Sequence, residues 1–336
     1  MQNDVTIYDI AAKLGISATT VSRALSNSSV VKQKTCELVH RTAREMGYQH
    51  NVIASNLRKQ KSQTIGLLLH ELNSSFVTSV LSGIESVTFK EGYDLLIVHS
   101  AEDTVREVAN AQNLFRKRVD GVLSSLALNT KDTDHFSLFI ERDIPVVFFD
   151  RVPSDKRYTK VVIDNFKSGY DATKHLIGQG CKAIAHITAD LTRNVYSDRF
   201  EGYKKALKDH KIKFREELVQ ICSLSKEETL IATNQILQHR PDAFFITNDF
   251  AAAVCMEELS EKGIAVPKDI AVVGFNNDVL CNLVNPKLST IDYPGILMGE
   301  TAAKLLLEKI KSKKSRPQTH TIPSQLIIRD SSKRKK

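Results

Sequence analysis

The first residues with binding chemistry lie near the N-terminus, on the second of two short helices that the sequence predicts. One face of that helix carries small, hydroxylated or cationic side chains: Ala18, Thr19, Ser22 and Arg23. Short side chains let a helix approach a DNA groove, and an arginine can reach a guanine edge or a phosphate. The opposite face is apolar, as in any helical hairpin, so spacing alone leaves DNA binding and ordinary packing equally open.

Local signals set the limits of these helices. Thr6 followed by Asp9 is an N-terminal capping pattern, and Gly15 stands where a residue with positive φ would end the first helix. Ser17 can cap the second helix. A third helix is predicted from about residue 32 to 46, ending before Gly47. Three helices in fewer than fifty residues form a small bundle that would hold the second one in place.

Three runs in this stretch carry a specific resemblance: Asp9 to Ala11, Gly15 to Ser17, and Thr20 to Leu25. They resemble the helix-turn-helix of the lactose-repressor (LacI/GalR) family of bacterial transcription regulators. The resemblance implies that Arg23 and Thr19 meet base edges, and that phosphates are met by neighbouring polar groups. The DNA-contacting residues that it implies are Thr6, Tyr8, Ser17, Ala18, Thr19, Thr20, Ser22, Arg23, Asn27, Asn51, Ala54 and Leu57.

Residues 48–62 resemble the hinge of that family, which orders on DNA and places a leucine between base pairs. Leu57 falls on the leucine position. Two residues depart from the usual pattern of the family: this chain has His50 where a proline is usual, and Ser55 where an arginine is usual. The alternative is a plain linker with one buried leucine.

Composition limits the remaining function classes. Residues 1–62 hold 9 Lys/Arg against 4 Asp/Glu, and residues 331–336 add four cations, whereas residues 63–330 are nearly neutral. A basic head on a neutral body indicates a protein that meets phosphate with one end. The basic tail at 331–336 is expected to be a disordered, solubilising end. No apolar run reaches membrane length, and the N-terminus has no signal-peptide pattern, which predicts a cytoplasmic protein.

The sequence predicts no enzyme, no metal site and no cofactor. The five cysteines lack CxxC spacing, and the histidines form no metal-binding pattern. The nucleophile-elbow, P-loop and dinucleotide-binding patterns are missing from the sequence as well.

From residue 64 onward, apolar runs of strand length alternate with amphipathic helices in two consecutive series. This pattern is typical of α/β domains with parallel sheets. The pair resembles the two-lobed periplasmic-binding-protein fold, which forms the effector domain of the same family. We therefore predict an all-α DNA-binding domain at 1–47, a hinge at 48–62, a two-lobed effector and dimerisation domain at 63–330, and the tail. Chain crossings near 162, 291 and 324 give lobe 1 about 63–161 and 292–323, and lobe 2 about 162–291 and 324–330.

Ligands of such folds bind beyond the carboxyl ends of the strands, between the lobes. Polar residues follow several predicted strands there, and their amides, carboxylates and guanidinium groups suit the hydroxyls of a sugar. The segment Arg199 to Tyr203 matches the family's Arg-x-x-Gly-aromatic pattern, whose arginine holds the effector, while Phe76 stands where an aromatic residue covers the ligand. The candidate ligand residues are Phe76, Asp150, Arg151, Arg193, Arg199, Asn248, Asp249 and Asn276.

The resemblance also implies a homodimer, with Leu283 and Val284 at the contact. The leading interpretation is a DNA-binding repressor controlled by a small sugar-type ligand. One alternative is an activator or corepressor-type regulator that binds a purine or nucleoside. Another, of a different class, is a sugar-binding transport protein, which the helix-turn-helix pattern disfavours. The direction in which the ligand acts stays open.

Overall fold

The computed structural model describes residues 5–26, 28–48, 62–312 and 316–334. The chain divides into two compact units, residues 1–62 and 63–336. The predicted fold class is confirmed, with an all-α first unit and a two-lobed α/β second unit. Among the described residues, no helix is long and apolar enough to cross a membrane.

The first unit is a bundle of three helices: α1 (Ile7–Leu14), α2 (Ala18–Leu25) and α3 (Gln33–Glu45). The backbone N–H and the hydroxyl of Thr6 both donate to the Asp9 carboxylate, at 2.8 and 2.7 Å. These hydrogen bonds lower the pKa of Asp9. Gly15 takes φ +65° at the end of α1, and the Ser17 hydroxyl accepts from the Thr20 N–H at 3.1 Å. The capping signals therefore act as the sequence predicts.

Lobe 1 contains a six-stranded parallel sheet in the order β11-β5-β4-β3-β1-β2. The central strands, which pair on both sides, are the most apolar and most buried, as expected for a parallel sheet covered on both faces. Its strands are β1 (Thr64–Leu69), β2 (Asp94–His99), β3 (Gly121–Ser124), β4 (Val146–Phe149), β5 (Thr159–Ile163) and β11 (Thr319–Ile322). Its helices are α4 (Ser75–Lys90), α5 (Thr104–Arg116), α6 (Ser137–Glu141) and α11 (Gly295–Lys311), with a 3₁₀ turn at Asp134–Phe136.

Lobe 2 contains a second six-stranded sheet in the order β12-β10-β9-β8-β6-β7, in which only β12 runs antiparallel to its neighbour. Its strands are β6 (Ile184–Thr188), β7 (Val219–Ile221), β8 (Ala243–Ile246), β9 (Ala271–Asn276), β10 (Ser289–Asp292) and β12 (Gln325–Ile327). Its helices are α7 (Asn165–Gly178), α8 (Asn194–Asp209), α9 (Lys226–Leu237) and α10 (Asp249–Glu261), with 3₁₀ turns at Glu216–Leu218 and Val279–Asn282.

Two details differ from the sequence prediction. The first chain crossing, expected near 162, would fall inside β5, but the whole of Thr159–Ile163 pairs with β4 and β11 and belongs to the lobe 1 sheet. The tail is not a disordered end over its described part: Ser331 and Ser332 are fully buried. Arg334 donates to the backbone carbonyls of Pro267, Asp242 and Asp269. Three carbonyls at one edge of lobe 2 satisfy the guanidinium group and fix this end of the chain.

Candidate DNA-binding face and interlobe ligand site

The predicted DNA-contacting residues of the first unit lie mostly on its surface. Thr6, Tyr8, Ser17, Thr19 and Arg23 are exposed. Ala18, Thr20 and Ser22 are half-buried. Asn27, Asn51, Ala54 and Leu57 lie outside the described residues, as do His50 and Ser55 of the expected hinge.

The packing of the inner face of α2 sets which side chains the helix turns outward. Val21 and Ala24 are fully buried against Ile10, Val39 and Ala43 of the other two helices. Thr19 and Arg23 are four residues apart, so they project from the same side of α2. The small core therefore orients a hydroxyl and a guanidinium group together toward solvent.

Lobe 1 and lobe 2 meet through hydrogen bonds between loops at the ends of their strands. The Asn194 side chain, at the start of α8, accepts from the Val152 N–H at 2.9 Å and donates to the Asp150 carbonyl at 3.0 Å. Arg193 donates to the Thr130 carbonyl. These contacts hold the loops that follow β3 and β4 against lobe 2.

Arg151 is the buried cation of this junction. It donates from one nitrogen to both oxygens of Glu102, at 2.6 and 2.8 Å, and from another to the Tyr196 hydroxyl at 3.2 Å. The Arg193 side chain is buried too, and its Nε atom has no hydrogen-bond partner within the described chain. Burial, reinforced by the nearby charge of Arg151, lowers the pKa of Arg193.

Arg199 lies deeper in lobe 2 and is also buried. Its guanidinium carbon stands 3.5 Å from the centre of the Phe275 ring, and its nitrogens donate to the Asn165 amide oxygen at 2.8 Å and the Thr247 carbonyl at 3.2 Å. Burial lowers the pKa of Arg199. A buried guanidinium group of this kind binds a nearby hydrogen-bond acceptor strongly, because few other partners or waters surround it.

The Arg-x-x-Gly-aromatic pattern has a packing reason. At Gly202, a Cβ atom would lie 2.1 Å from the Phe166 carbonyl oxygen of α7, so only glycine allows the two helices to approach. Tyr203 is fully buried and donates to the Ile184 carbonyl at 2.8 Å. Gly202 and Tyr203 thus fix α8 on lobe 2, and with it the position of Arg199.

Asn248 and Asp249 serve the structure of lobe 2. The Asn248 side chain accepts from the Ala251 N–H at 3.1 Å and caps α10. The Asp249 carboxylate is fully buried and accepts from the Thr290 hydroxyl at 2.7 Å and the Asp278 N–H at 2.9 Å. Burial raises the pKa of Asp249. The amide oxygen of Asn248 and both carboxylate oxygens of Asp249 therefore already have partners within lobe 2.

A cavity of about 440 Å³ opens where α4, the loop after β9 and the start of α11 meet. Phe76, Asn276 and Tyr293 line it, together with the carboxylates of Asp278 and Asp292. Burial, reinforced by the charge of Asp249, raises the pKa of Asp278 to about 6. Within the described chain, Arg199 and Asp150 do not line this cavity but contact Tyr293. Tyr293 was not predicted from the sequence, because β10, the four-residue strand that it follows at a chain crossing, was not predicted either.

One group of side chains in the described chain, His70, Glu71 and Glu102, has donor atoms within 4.8 Å of one another, close enough for a metal ion. Arg151 already engages both oxygens of Glu102, and the Nδ1 atom of His70 lies 3.0 Å from the Ser125 hydroxyl. The group is therefore satisfied as an ion pair and a hydrogen bond.

A surface helix-turn-helix joined to a two-lobed, cleft-forming domain defines a ligand-responsive DNA-binding regulator. Residues 6–51 match the model of the bacterial regulatory proteins of the lacI family, and residues 173–332 match that of the periplasmic binding protein-like domain. The transcriptional repressor PurR of Vibrio atlanticus is 31% identical, covering 98% of both chains. PurR of Yersinia pestis is 33% identical, covering 97% of this chain and 96% of its own. The chain belongs to the LacI family of DNA-binding transcription regulators.

Solved structures agree with this assignment. The regulator CelR in complex with cellobiose is 26% identical, with a TM-score of 0.73, covering 97% of this chain and 99% of its own. The lac repressor dimer bound to operator and the anti-inducer ONPF has a TM-score of 0.86 and covers 98% of this chain and 99% of its own. At 24% identity, that second likeness concerns the fold.

Proposed function

We propose that this regulator is a dimeric, cytoplasmic repressor whose operator affinity is set by a small hydroxylated ligand bound between lobes 1 and 2. The observation that carries the DNA-binding half is α2, which exposes Thr19 and Arg23 while its other face is buried. The curated relatives are named as transcriptional repressors, which supports repression rather than activation as the role of this chain. A regulator that must meet chromosomal operators works in the cytoplasm.

The DNA-binding residues take two kinds of role in this proposal. Arg23 and Thr19 contact base edges in the major groove, while Thr6, Tyr8, Ser17 and Asn27 contact phosphates. Leu57 enters the minor groove from the hinge, near Asn51 and Ala54. An operator of two related half-sites follows from two copies of the chain, each placing one α2 in the groove.

Arg23→Ala tests the base contact. The operator is first selected from random-sequence DNA with the full-length protein. Loss of a bidentate contact should then cost about 1–3 kcal/mol of binding and relax the preference at one position of each half-site. Fluorescence anisotropy at fixed salt measures both the affinity and the preference.

The matched control is Arg41→Ala, which removes the same charge from the same unit. Arg41 lies on α3, is 66% exposed and stands 4.0 Å from Glu45, a surface pair of little energetic weight. If both variants lost the same operator affinity, Arg23 would contribute only its charge, and the proposed base contact would be refuted.

For the ligand, we propose a neutral or acidic sugar or a close derivative. The polar groups that surround the junction are Asp150, Arg151, Arg193, Arg199 and Asn276, and they suit paired hydroxyls. Asn248 and Asp249 would contribute by holding the loops of lobe 2. The cellobiose complex of CelR is a precedent within the family for a sugar at this fold.

Arg199→Lys tests the role of the arginine. Lysine keeps the charge but lacks the planar fork, so it cannot donate to Asn165, Thr247 and a ligand together. We expect operator affinity without ligand to stay within about twofold, while the sugar that shifts wild-type binding is needed at a concentration at least about tenfold higher. Anisotropy titrations with a panel of sugars measure this. An unchanged response would place the ligand away from Arg199.

A further inference from the structure

The side chain of Tyr293 fills the space between the residues that were expected to hold the ligand. Tyr293 follows β10 at a chain crossing and is 4% exposed. Its ring stacks on Phe76 of lobe 1, with centroids 4.2 Å apart and planes at 22°. Its edge meets Phe275 of lobe 2, with centroids 5.9 Å apart and planes at 87°. The ring is thus enclosed by an aromatic side chain from each lobe.

The polar end of Tyr293 is engaged as well. Its hydroxyl donates to the Asp150 carboxylate at 2.6 Å, and the Arg199 guanidinium carbon lies 5.5 Å from its ring centre. Burial and the neighbouring Asp150 raise the pKa of Tyr293, so the phenol keeps its proton and remains a donor at neutral pH. Phe76, Asp150 and Arg199, three of the predicted ligand residues, therefore all contact one side chain of the protein itself.

These contacts are those that a planar, hydroxyl-bearing aromatic ligand would make. Flat rings bind proteins by lying against aromatic faces, with centroids about 4.5–7 Å apart and polar edges on hydrogen-bonding groups. Tyr293 already covers the Phe76 face, at a centroid distance of 4.2 Å, and its hydroxyl already occupies the Asp150 acceptor. No further ring can enter between Phe76 and Tyr293 unless Tyr293 moves.

We propose that Tyr293 is the specificity-determining residue of the interlobe site, and that it excludes nucleobases and other flat rings. This inference rests on the proposed function, since it assumes that the ligand binds between the lobes, and it narrows the ligand class to non-planar, hydroxylated molecules. Such a ligand occupies the neighbouring 440 Å³ cavity, where the outer edge of the Phe76–Tyr293 pair and Asn276 are accessible. Tyr293 connects this cavity to Arg199 and Asp150, which contact it from the other side. The purine or nucleoside alternative is thereby disfavoured.

The test removes the Tyr293 ring by substitution and measures whether phenol, added in solution, binds in its place. Tyr293→Ala deletes a phenol-sized group while leaving Phe76, Asp150 and Arg199 in place. We expect isothermal titration calorimetry to find phenol bound to this variant at least about tenfold more tightly than to the wild type. Tyr293→Phe is the control, because it keeps the ring and loses only the hydroxyl, and it should bind phenol no better than the wild type. The wild type should also bind neither adenine nor hypoxanthine.

A folded Tyr293→Ala protein that binds phenol no better than the wild type would overturn the proposal. Binding of adenine or hypoxanthine to the wild type would overturn it as well. Should Tyr293→Ala fail to fold by circular dichroism, Tyr293→Gln replaces it, since an amide offers Asp150 a donor but vacates the ring position. None of these readouts involves operator or sugar, so a failed phenol experiment leaves the regulatory proposal intact, and a failed operator experiment leaves this result intact.

Discussion

At the scale of single residues, burial decides which side chains of lobe 2 can carry charge. His186 is fully buried; its ring stacks on Tyr203 with centroids 4.9 Å apart and packs at a tilt against Phe245 with centroids 4.8 Å apart. Its Nδ1 atom lies 2.9 Å from the Phe245 carbonyl, so Nδ1 carries the hydrogen. Burial lowers the pKa of His186 to about 3, with a smaller contribution from Arg199. The folded protein therefore keeps this imidazole neutral, whereas the unfolded chain protonates it near pH 6.5.

This difference predicts acid sensitivity. Because the folded pKa lies below the unfolded value, His186 contributes its full stability above pH 6.5 and loses it as the pH falls toward 3. Between pH 7 and pH 5, the wild type should lose about 2 kcal/mol more free energy of unfolding than His186→Phe, which keeps an aromatic ring but cannot be protonated. Urea denaturation at both values measures the difference. Parallel pH dependences in the two proteins would contradict the neutral, buried assignment.

At the scale of elements, the packing of α8 on α7 fixes the position of Arg199. Gly202→Ala should lower the free energy of unfolding by about 1–3 kcal/mol, because its Cβ would lie 2.1 Å from the Phe166 carbonyl oxygen. Gly178→Ala is the matched control: its Cβ, at the end of α7, would meet nothing within 4 Å. That control should be neutral or stabilising by up to about 1 kcal/mol, since alanine favours the helix. Equal effects of the two substitutions in thermal unfolding would contradict a helix contact that requires glycine.

The helices and strands also show which parts of the fold could be predicted from the sequence. Periodicity and capping residues predict α1, α2 and most helices of the lobes, because those signals are local. The predicted crossing near 162 divides β5, whereas Thr159–Ile163 lies wholly in the lobe 1 sheet, since it pairs partly with β11, which is distant in sequence, and no local pattern encodes that pairing. Strands β10 and β11 were missed because each is a four-residue segment at a chain crossing.

The same limit applies to the candidate site. Arg199 and Phe76 could be predicted from a family pattern. Tyr293 could not, because its place in the site depends on the packing of its ring against Phe76 and near Arg199. Which polar groups a neighbour already satisfies is a property of three-dimensional packing. Asp249 illustrates this, because it follows a strand end as a ligand residue would, yet Thr290 and Asp278 occupy its oxygens.

At the scale of the whole molecule, the cationic surface of the first unit and one apolar patch of lobe 2 suit different partners. The first unit carries the excess of cations, which suits a partner with a phosphate backbone. Lobe 2 instead exposes large apolar side chains on contacting elements, with Phe250 at 47%, Val279 at 74% and Leu283 at 77%. Val284 is half-buried and packs on the lobe 2 core, so it is a poorer probe of a dimer contact than Leu283.

Leu283→Asp should therefore yield monomers in sedimentation-velocity experiments, because a carboxylate at a desolvated contact is costly. Since Leu283 is 77% exposed in the single chain, the variant should still fold and melt within a few degrees of the wild type. Its operator affinity should fall at least about a hundredfold, because two linked DNA-binding units gain from effective concentration and a monomer has only one. Ile231→Asp, at 58% exposure on α9, is the control and should remain dimeric. A Leu283→Asp protein that sediments as a dimer and binds operator normally would place the contact elsewhere on the molecule.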